Sequence, residues 1–137
     1  MIVSSFIIGI LHIAANTNQE ANISLLKEMP IVEIICAVIF APIAEELVFR
    51  RSLKNMTNNK HLFAITTGLI FGFVHVYTSL SGISSLVMLI YLIPYGALGI
   101  AFGYAYKETN NILGTMFIHS MHNALSLAEL LLIGCLL

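Results

Sequence analysis

The chain has 137 residues, of which 58% are apolar and 9% charged, with a net charge of −1 and a mean hydropathy of +0.93. A soluble domain spends about 25% of its residues on charge to cover its surface, so this composition excludes an ordinary water-soluble globule and points to a lipid bilayer as solvent. The near-neutral balance, with no basic or aromatic-interleaved run, likewise excludes a nucleic-acid binder.

Five apolar stretches follow one another at about 2–15, 30–50, 62–80, 83–106 and 111–137. In hydrocarbon only helices and closed barrels satisfy the backbone, and the lack of period-2 alternation predicts helices. The expected fold is all-α, a polytopic transmembrane bundle of about five spans. Residues 1–29 read as a short N-terminal hydrophobic helix with an extracytoplasmic loop, and residues 30–137 as the core. The first stretch, Ile2 to Ala15, falls short of the about 20 residues a span needs and lacks the basic n-region of a signal peptide. A truncated start and a tilted, partly embedded helix both fit it.

The polar breaks are Asn16 to Met29, Arg51 to His61, Ser79 to Ser84, and Lys107 to Asn111. Arg50, Arg51, Lys54, Lys60 and Lys107 flank two of these breaks and only Lys27 lies opposite. The positive-inside rule therefore places the 51–61 and 107–111 segments in the cytoplasm, with the N-terminus inside, and the expected location is a bacterial plasma membrane. Tyr77, Tyr104 and Tyr106 suit an aromatic belt. Gly68 with Gly72, and Gly99 with Gly103, form small-xxx-small pairs that allow close helix contact and would permit a homo-oligomer. Cys36 and Cys135 have no metal-type spacing and read as small buried hydrophobes.

Ionisable groups at membrane depth mark function. The second stretch carries Glu45, Glu46 and Arg50, the third His75, and the fifth His119, His122 and Asn123. Counted inward from the cytoplasmic ends, Glu45, His75, His119 and Asn123 lie roughly 12–20 Å deep and share a layer. The site is therefore expected between these three helices. Glu45 and Glu46 point about 100° apart. Glu46 and Arg50 stand at i and i+4 and can pair on one face, leaving Glu45 to address the histidines. Pro42 deletes a backbone donor just ahead of them and should bend the helix there. His119 and Asn123 share one side, and the Phe71 ring should pack beside His75. His12, Glu33 and Glu129 sit nearer helix ends and read as interfacial, and His61 belongs to the solvated loop.

This constellation has hydrolytic logic. A glutamate in low dielectric can take a proton from water as a general base, a His can hold and polarise that water, and a second His with an Asn can donate to an oxyanion. Alternatively Glu45, His75 and His119 could ligate a divalent metal such as zinc and activate the water directly. Both chemistries are open. A single buried His or Asn is more often an interhelical hydrogen-bonding group, and that reading is preferred for His122; the matched set favours function.

The residues also carry a resemblance. EELVFR (Glu45 to Arg50), FGFVH (Phe71 to His75) and HSMHN (His119 to Asn123) resemble, in order, the EExxxR, FxxxH and HxxxN motifs of the CAAX-protease and bacteriocin-processing (Abi-type) family. The likeness covers about residues 30–130. It implies an intramembrane endopeptidase acting on a peptide or lipidated-protein substrate, in CAAX-type processing, in maturation of bacteriocins or signalling peptides, or in self-immunity. Glu45 would then be the base and His75 its helper in activating water. His119 and Asn123 would form the oxyanion site, with Glu46 and Arg50 in support. Both metal-dependent and metal-free glutamate mechanisms are argued for that family. Members usually carry more hydrophobic helices ahead of EExxxR than the one short stretch here.

Other intramembrane proteases fit less well. The chain has no Asp, against a paired-aspartate enzyme, and no HExxH, against a site-2 metalloprotease. Ser84 lacks the glycine context of a serine protease. The rival from another class is a non-catalytic immunity or scaffold protein binding a peptide or partner through the same polar layer. A small transporter would need a continuous polar path and mirrored broken helices, neither of which is evident.

Overall fold

The structure, a computed structural model, describes residues 17–77 and 85–136. The first apolar stretch, His12, the Ser79 to Ser84 turn and the Cys135 side chain lie outside the described residues. Those residues form helices and no strand, in keeping with the all-α expectation. In chain order the helices are α1 (Thr17–Glu28), α2 (Pro30–Ile35), α3 (Ala41–Glu46), α4 (Lys60–Tyr77), α5 (Ser85–Thr109) and α6 (Ile112–Leu136). The stretch Met88–Thr109 within α5, 22 residues, is long and apolar enough to cross a bilayer.

The Asn16 to Met29 break was expected as a loop, but most of it is α1. Gln, Glu, Ala, Leu and Lys are good helix formers, and Glu20 in the first turn and Lys27 in the last both complement the helix dipole.

Helices α2 and α3 belong to one rod interrupted twice by π-helical turns, at Cys36–Phe40 and Leu47–Arg51. The first ends at the Ala41 N–H, which bonds the Cys36 carbonyl five residues back. Pro42, buried in the first turn of α3, cannot supply the next donor. The bend expected at Pro42 thus takes the form of a widened turn, a local distortion frequent at functional sites. Glu45 and Glu46 sit between the two π turns.

Helices α4 and α5 pack backbone to backbone. A Cβ added at Gly68 would stand 2.4 Å from the Ile100 backbone nitrogen, and one at Gly72 2.7 Å from that of Gly96. The small-residue pairs are therefore used within this chain, α4 against α5, rather than left as a surface for a second copy. Helix α6 closes the bundle against α3 and α5. Asn59 accepts from the backbone N–H of His61 and Leu62 at the start of α4, and Asn111 from Gly114 at the start of α6. Asn110, at φ 49°, makes the sharp reversal between α5 and α6.

The core joins Phe49, Phe71, Val76, Tyr91 and Tyr95. Outward, Ile31, Phe40, Ile93, Leu113, Phe117 and Leu132 are exposed, an apolar surface suited to lipid. Of the expected aromatic belt, Tyr77 is exposed, but Tyr106 is buried beside Phe63, because the α4–α5 glycines bring the two helices close enough to enclose it. Lys107 donates to the carbonyls of Lys54 and Thr57 and Lys60 pairs with Glu108. The 51–61 and 107–111 segments therefore meet at one end of the bundle.

Candidate functional site

The expected residues converge. Glu45 on α3 reaches His75 of α4, with Oε1 3.7 Å from Nε2. Its other oxygen stands 3.6 Å from Nε2 of His119 on α6. Its side chain is 25% exposed while His119 is buried, so Glu45 is the most open of the three.

Each imidazole is oriented from behind. His75 donates from Nδ1 to the Phe71 carbonyl oxygen at 2.8 Å. Its ring lies between Phe71, 4.2 Å away between centroids, and Tyr95, stacked at 4.9 Å. His119 donates from Nδ1 to Glu46 at 3.0 Å and stacks on Phe102 at 4.4 Å. A carbonyl or carboxylate oxygen can only accept, so Nδ1 carries the proton in both rings and both Nε2 atoms turn to Glu45.

Glu46 lies behind this layer. Its Oε2 is 3.3 Å from Nε of Arg50, and both side chains are fully buried. Arg50 also donates to the Gly99 carbonyl at 3.1 Å and sits over the Phe71 ring at 5.3 Å. The pair expected at i and i+4 therefore forms, and it links three things: the α3 carboxylate, the α5 backbone and His119.

Asn123 reaches a different partner. Its Nδ2 donates to the Ala37 carbonyl at 2.9 Å. That carbonyl has no helical donor, because the Ala41 N–H is drawn to Cys36 by the π turn and residue 42 is proline. One Asn123 hydrogen thus repairs the broken rod, leaving the second free to address the cavity that Asn123 lines. His122 is half-buried, edge-on to Phe102, and outside the cavity wall.

A cavity of about 380 Å³ opens from Glu45, His75 and His119. It continues past Ala41, Ala37, Leu127 and Leu130 to Glu33 and Glu129. Glu33 and Glu129, expected at an interface, therefore line this cavity, and Glu33 is buried. Cys36, expected to be buried, is exposed and also faces it. The letters carried no signal for Glu33: on a regular helix the steps Glu33, Ala37, Ala41, Glu45 drift about 120°, and the extra residue taken up by the π turn at Cys36–Phe40 brings all four to the same cavity.

The atoms facing one another across the site are a carboxylate and two ring nitrogens that accept when neutral, the complement of a water that donates. The same donor types suit zinc. Among the described residues, however, no three His, Cys, Asp or Glu side chains converge tightly enough to hold a metal ion.

A family model for Rce1-like type II CAAX prenyl endopeptidases matches residues 27–125, an interval that takes in Glu45, Glu46, Arg50, His75, His119 and Asn123. The chain is 27% identical over 109 residues to "Putative membrane peptidase YdiL" of Bacillus subtilis (strain 168). That alignment covers 77% of this chain and 40% of the relative, so the chain spans well under half the length of the curated protein it matches. No solved structure matches. With the ordered EExxxR, FxxxH and HxxxN residues gathered inside the matched interval, the chain belongs to the Rce1-like family of type II CAAX prenyl endopeptidases, membrane proteins of the CAAX-protease and bacteriocin-processing group.

Proposed function

We propose that this chain carries the catalytic layer of an intramembrane endopeptidase, set in a multi-span bundle in a bacterial plasma membrane, with the 51–61 segment on the cytoplasmic side. The observation that carries the reading is the placement of Glu45 between two rear-anchored imidazoles in the wall of a cavity of about 380 Å³.

Glu45 takes a proton from a water held against His75 Nε2, and the hydroxide oxygen attacks the carbonyl carbon of a peptide bond lying in the cavity. In its imidazolium form, which Glu46 and Glu45 flank on either side, His119 offers Nε2–H to the developing oxyanion. The uncommitted hydrogen of Asn123 Nδ2 is a second donor. As the C–N bond breaks, Glu45 passes its proton to the leaving amine. Glu46 and Arg50 touch no substrate and hold His119 in place.

The test is cleavage of a quenched fluorescent library of apolar peptides by the purified protein in detergent or bilayer, with and without chelator. A general base contributes about 10²–10⁴-fold, so Glu45→Gln should lose at least about 10²-fold. Cleavage by Glu45→Gln at the wild-type rate would overturn the proposal. Chelator inhibition reversed by zinc would move water activation to a metal. Peptide binding without cleavage by the wild type would favour the immunity or scaffold reading.

A further inference from the structure

The far end of the cavity has a chemistry that peptide hydrolysis does not use. Glu33 is 3% exposed, lines the cavity, and receives no hydrogen bond or counter-charge from any described residue. Glu129 of α6 lines the same cavity, and no Lys or Arg is among its lining residues. A buried carboxylate without a partner is costly to keep charged, and a cation supplied by a ligand removes that cost.

The geometry points to Glu33, supported by Glu129, as a subsite for a Lys or Arg side chain of the substrate peptide. The assignment rests on the protease reading for its substrate class. Glu33 and Glu45 share one face of the α2–α3 rod. The twelve residues separating them in the sequence correspond to roughly 18 Å along a helix at 1.5 Å per residue. An extended peptide advances about 3.3 Å per residue, so the cation falls about five or six residues from the scissile bond. Between the two ends the wall is formed by Ala37, Ala41, Leu127 and Leu130, which suits apolar side chains in the intervening positions.

The experiment uses fluorescent Leu/Ala peptides of about twelve residues, carrying a single Lys at successive positions or a Glu in its place. Binding is measured on the full chain with Glu45→Gln, which removes turnover, and cleavage on the otherwise wild-type chain. A charge-assisted hydrogen bond supports a preference of at least about tenfold, so the best Lys register should bind at least that much more tightly than its Glu counterpart. Adding Glu33→Gln, which keeps the shape of the side chain, should abolish the preference while leaving binding of the uncharged peptide unchanged. Equal binding of the Lys and Glu peptides, or a Lys preference that survives Glu33→Gln, overturns the subsite. Charge-selective binding with no cleavage overturns the protease reading and leaves the cation subsite standing. Cleavage indifferent to Glu33 does the reverse.

Discussion

Asn123 of α6 donates to the carbonyl of Ala37, 86 residues away, at the one turn where that carbonyl has lost both its possible helical donors. The side chain that the family motif places at the site thus also closes a defect made by a π turn and Pro42. This ties the position of α6 to the segment that aims Glu45.

Removing that donor should therefore destabilise the protein as well as slow it. An unsatisfied carbonyl costs about 1–3 kcal/mol when fully buried; this one is part-buried, so Asn123→Ala should lose about 1 kcal/mol in denaturant unfolding in detergent. Pro42→Ala supplies a backbone N–H that can serve Ala37 instead. In the Pro42→Ala background the cost of Asn123→Ala should fall by more than half. Equal costs in both backgrounds would separate Asn123 from the π turn.

How much of this could be read from the letters follows from what each feature leaves in them. Charged residues inside apolar runs are conspicuous, so Glu45, Glu46, Arg50, His75, His119 and Asn123 were identifiable, and the Glu46–Arg50 pairing followed from helical spacing. The π turns were not, because an apolar run reads alike whichever hydrogen-bond register its backbone adopts. The bond from Asn123 to Ala37 depends on that register and was hidden with it. Glu33 reads as interfacial from its distance to a helix end, and it faces the same cavity as Glu45 only because the π turn at Cys36–Phe40 takes up an extra residue between them. Tyr106 looked like a belt residue until the glycine contact between α4 and α5 enclosed it.

That contact predicts opposite outcomes for two neighbouring glycines. A Cβ at Gly72 would lie 2.7 Å from the backbone of Gly96, whereas one at Gly96 would meet only the Gly68 carbonyl at 3.9 Å. Gly72→Ala should cost about 1–3 kcal/mol by forcing the helices apart. Gly96→Ala should be neutral or stabilising by up to about 1 kcal/mol through helix propensity. Thermal unfolding of the two variants in the same detergent checks this, and equal losses would show that the α4–α5 spacing is not set by these glycines.

At the 51–61 end, Lys60 and Glu108 pair on the surface. The hydrogen bond and charge of Lys60 hold the Glu108 carboxyl below its ordinary value of 4.5, and Glu108 holds Lys60 above 10.5. The Glu108 contribution is present above the ordinary carboxylate value and is lost as pH falls through the depressed one. The Lys60 contribution is present below 10.5 and is lost as pH rises through the raised value. The difference in Tm between wild type and Glu108→Gln should therefore be small and constant across neutral pH. It should vanish in acid below the depressed carboxyl value and in about 1 M salt. A difference that persists in high salt would assign the effect of Glu108 to packing.

Glu46 and Arg50 make the opposite case, a pair fully removed from solvent with His119 attached to its carboxylate. Breaking a buried pair from one side leaves an uncompensated charge and costs about 3–5 kcal/mol, the expected loss for Arg50→Met. In the double variant Glu46→Gln/Arg50→Met no charge is stranded, and most of that stability should return. Activity should not return with it, because Gln at position 46 no longer offers the carboxylate that accepts from His119 Nδ1 and holds Nε2 toward the oxyanion. Unfolding and peptide cleavage measured on the same preparations separate the two roles. If stability and turnover recover together, Glu46 matters only for folding, and His119 needs no carboxylate behind it.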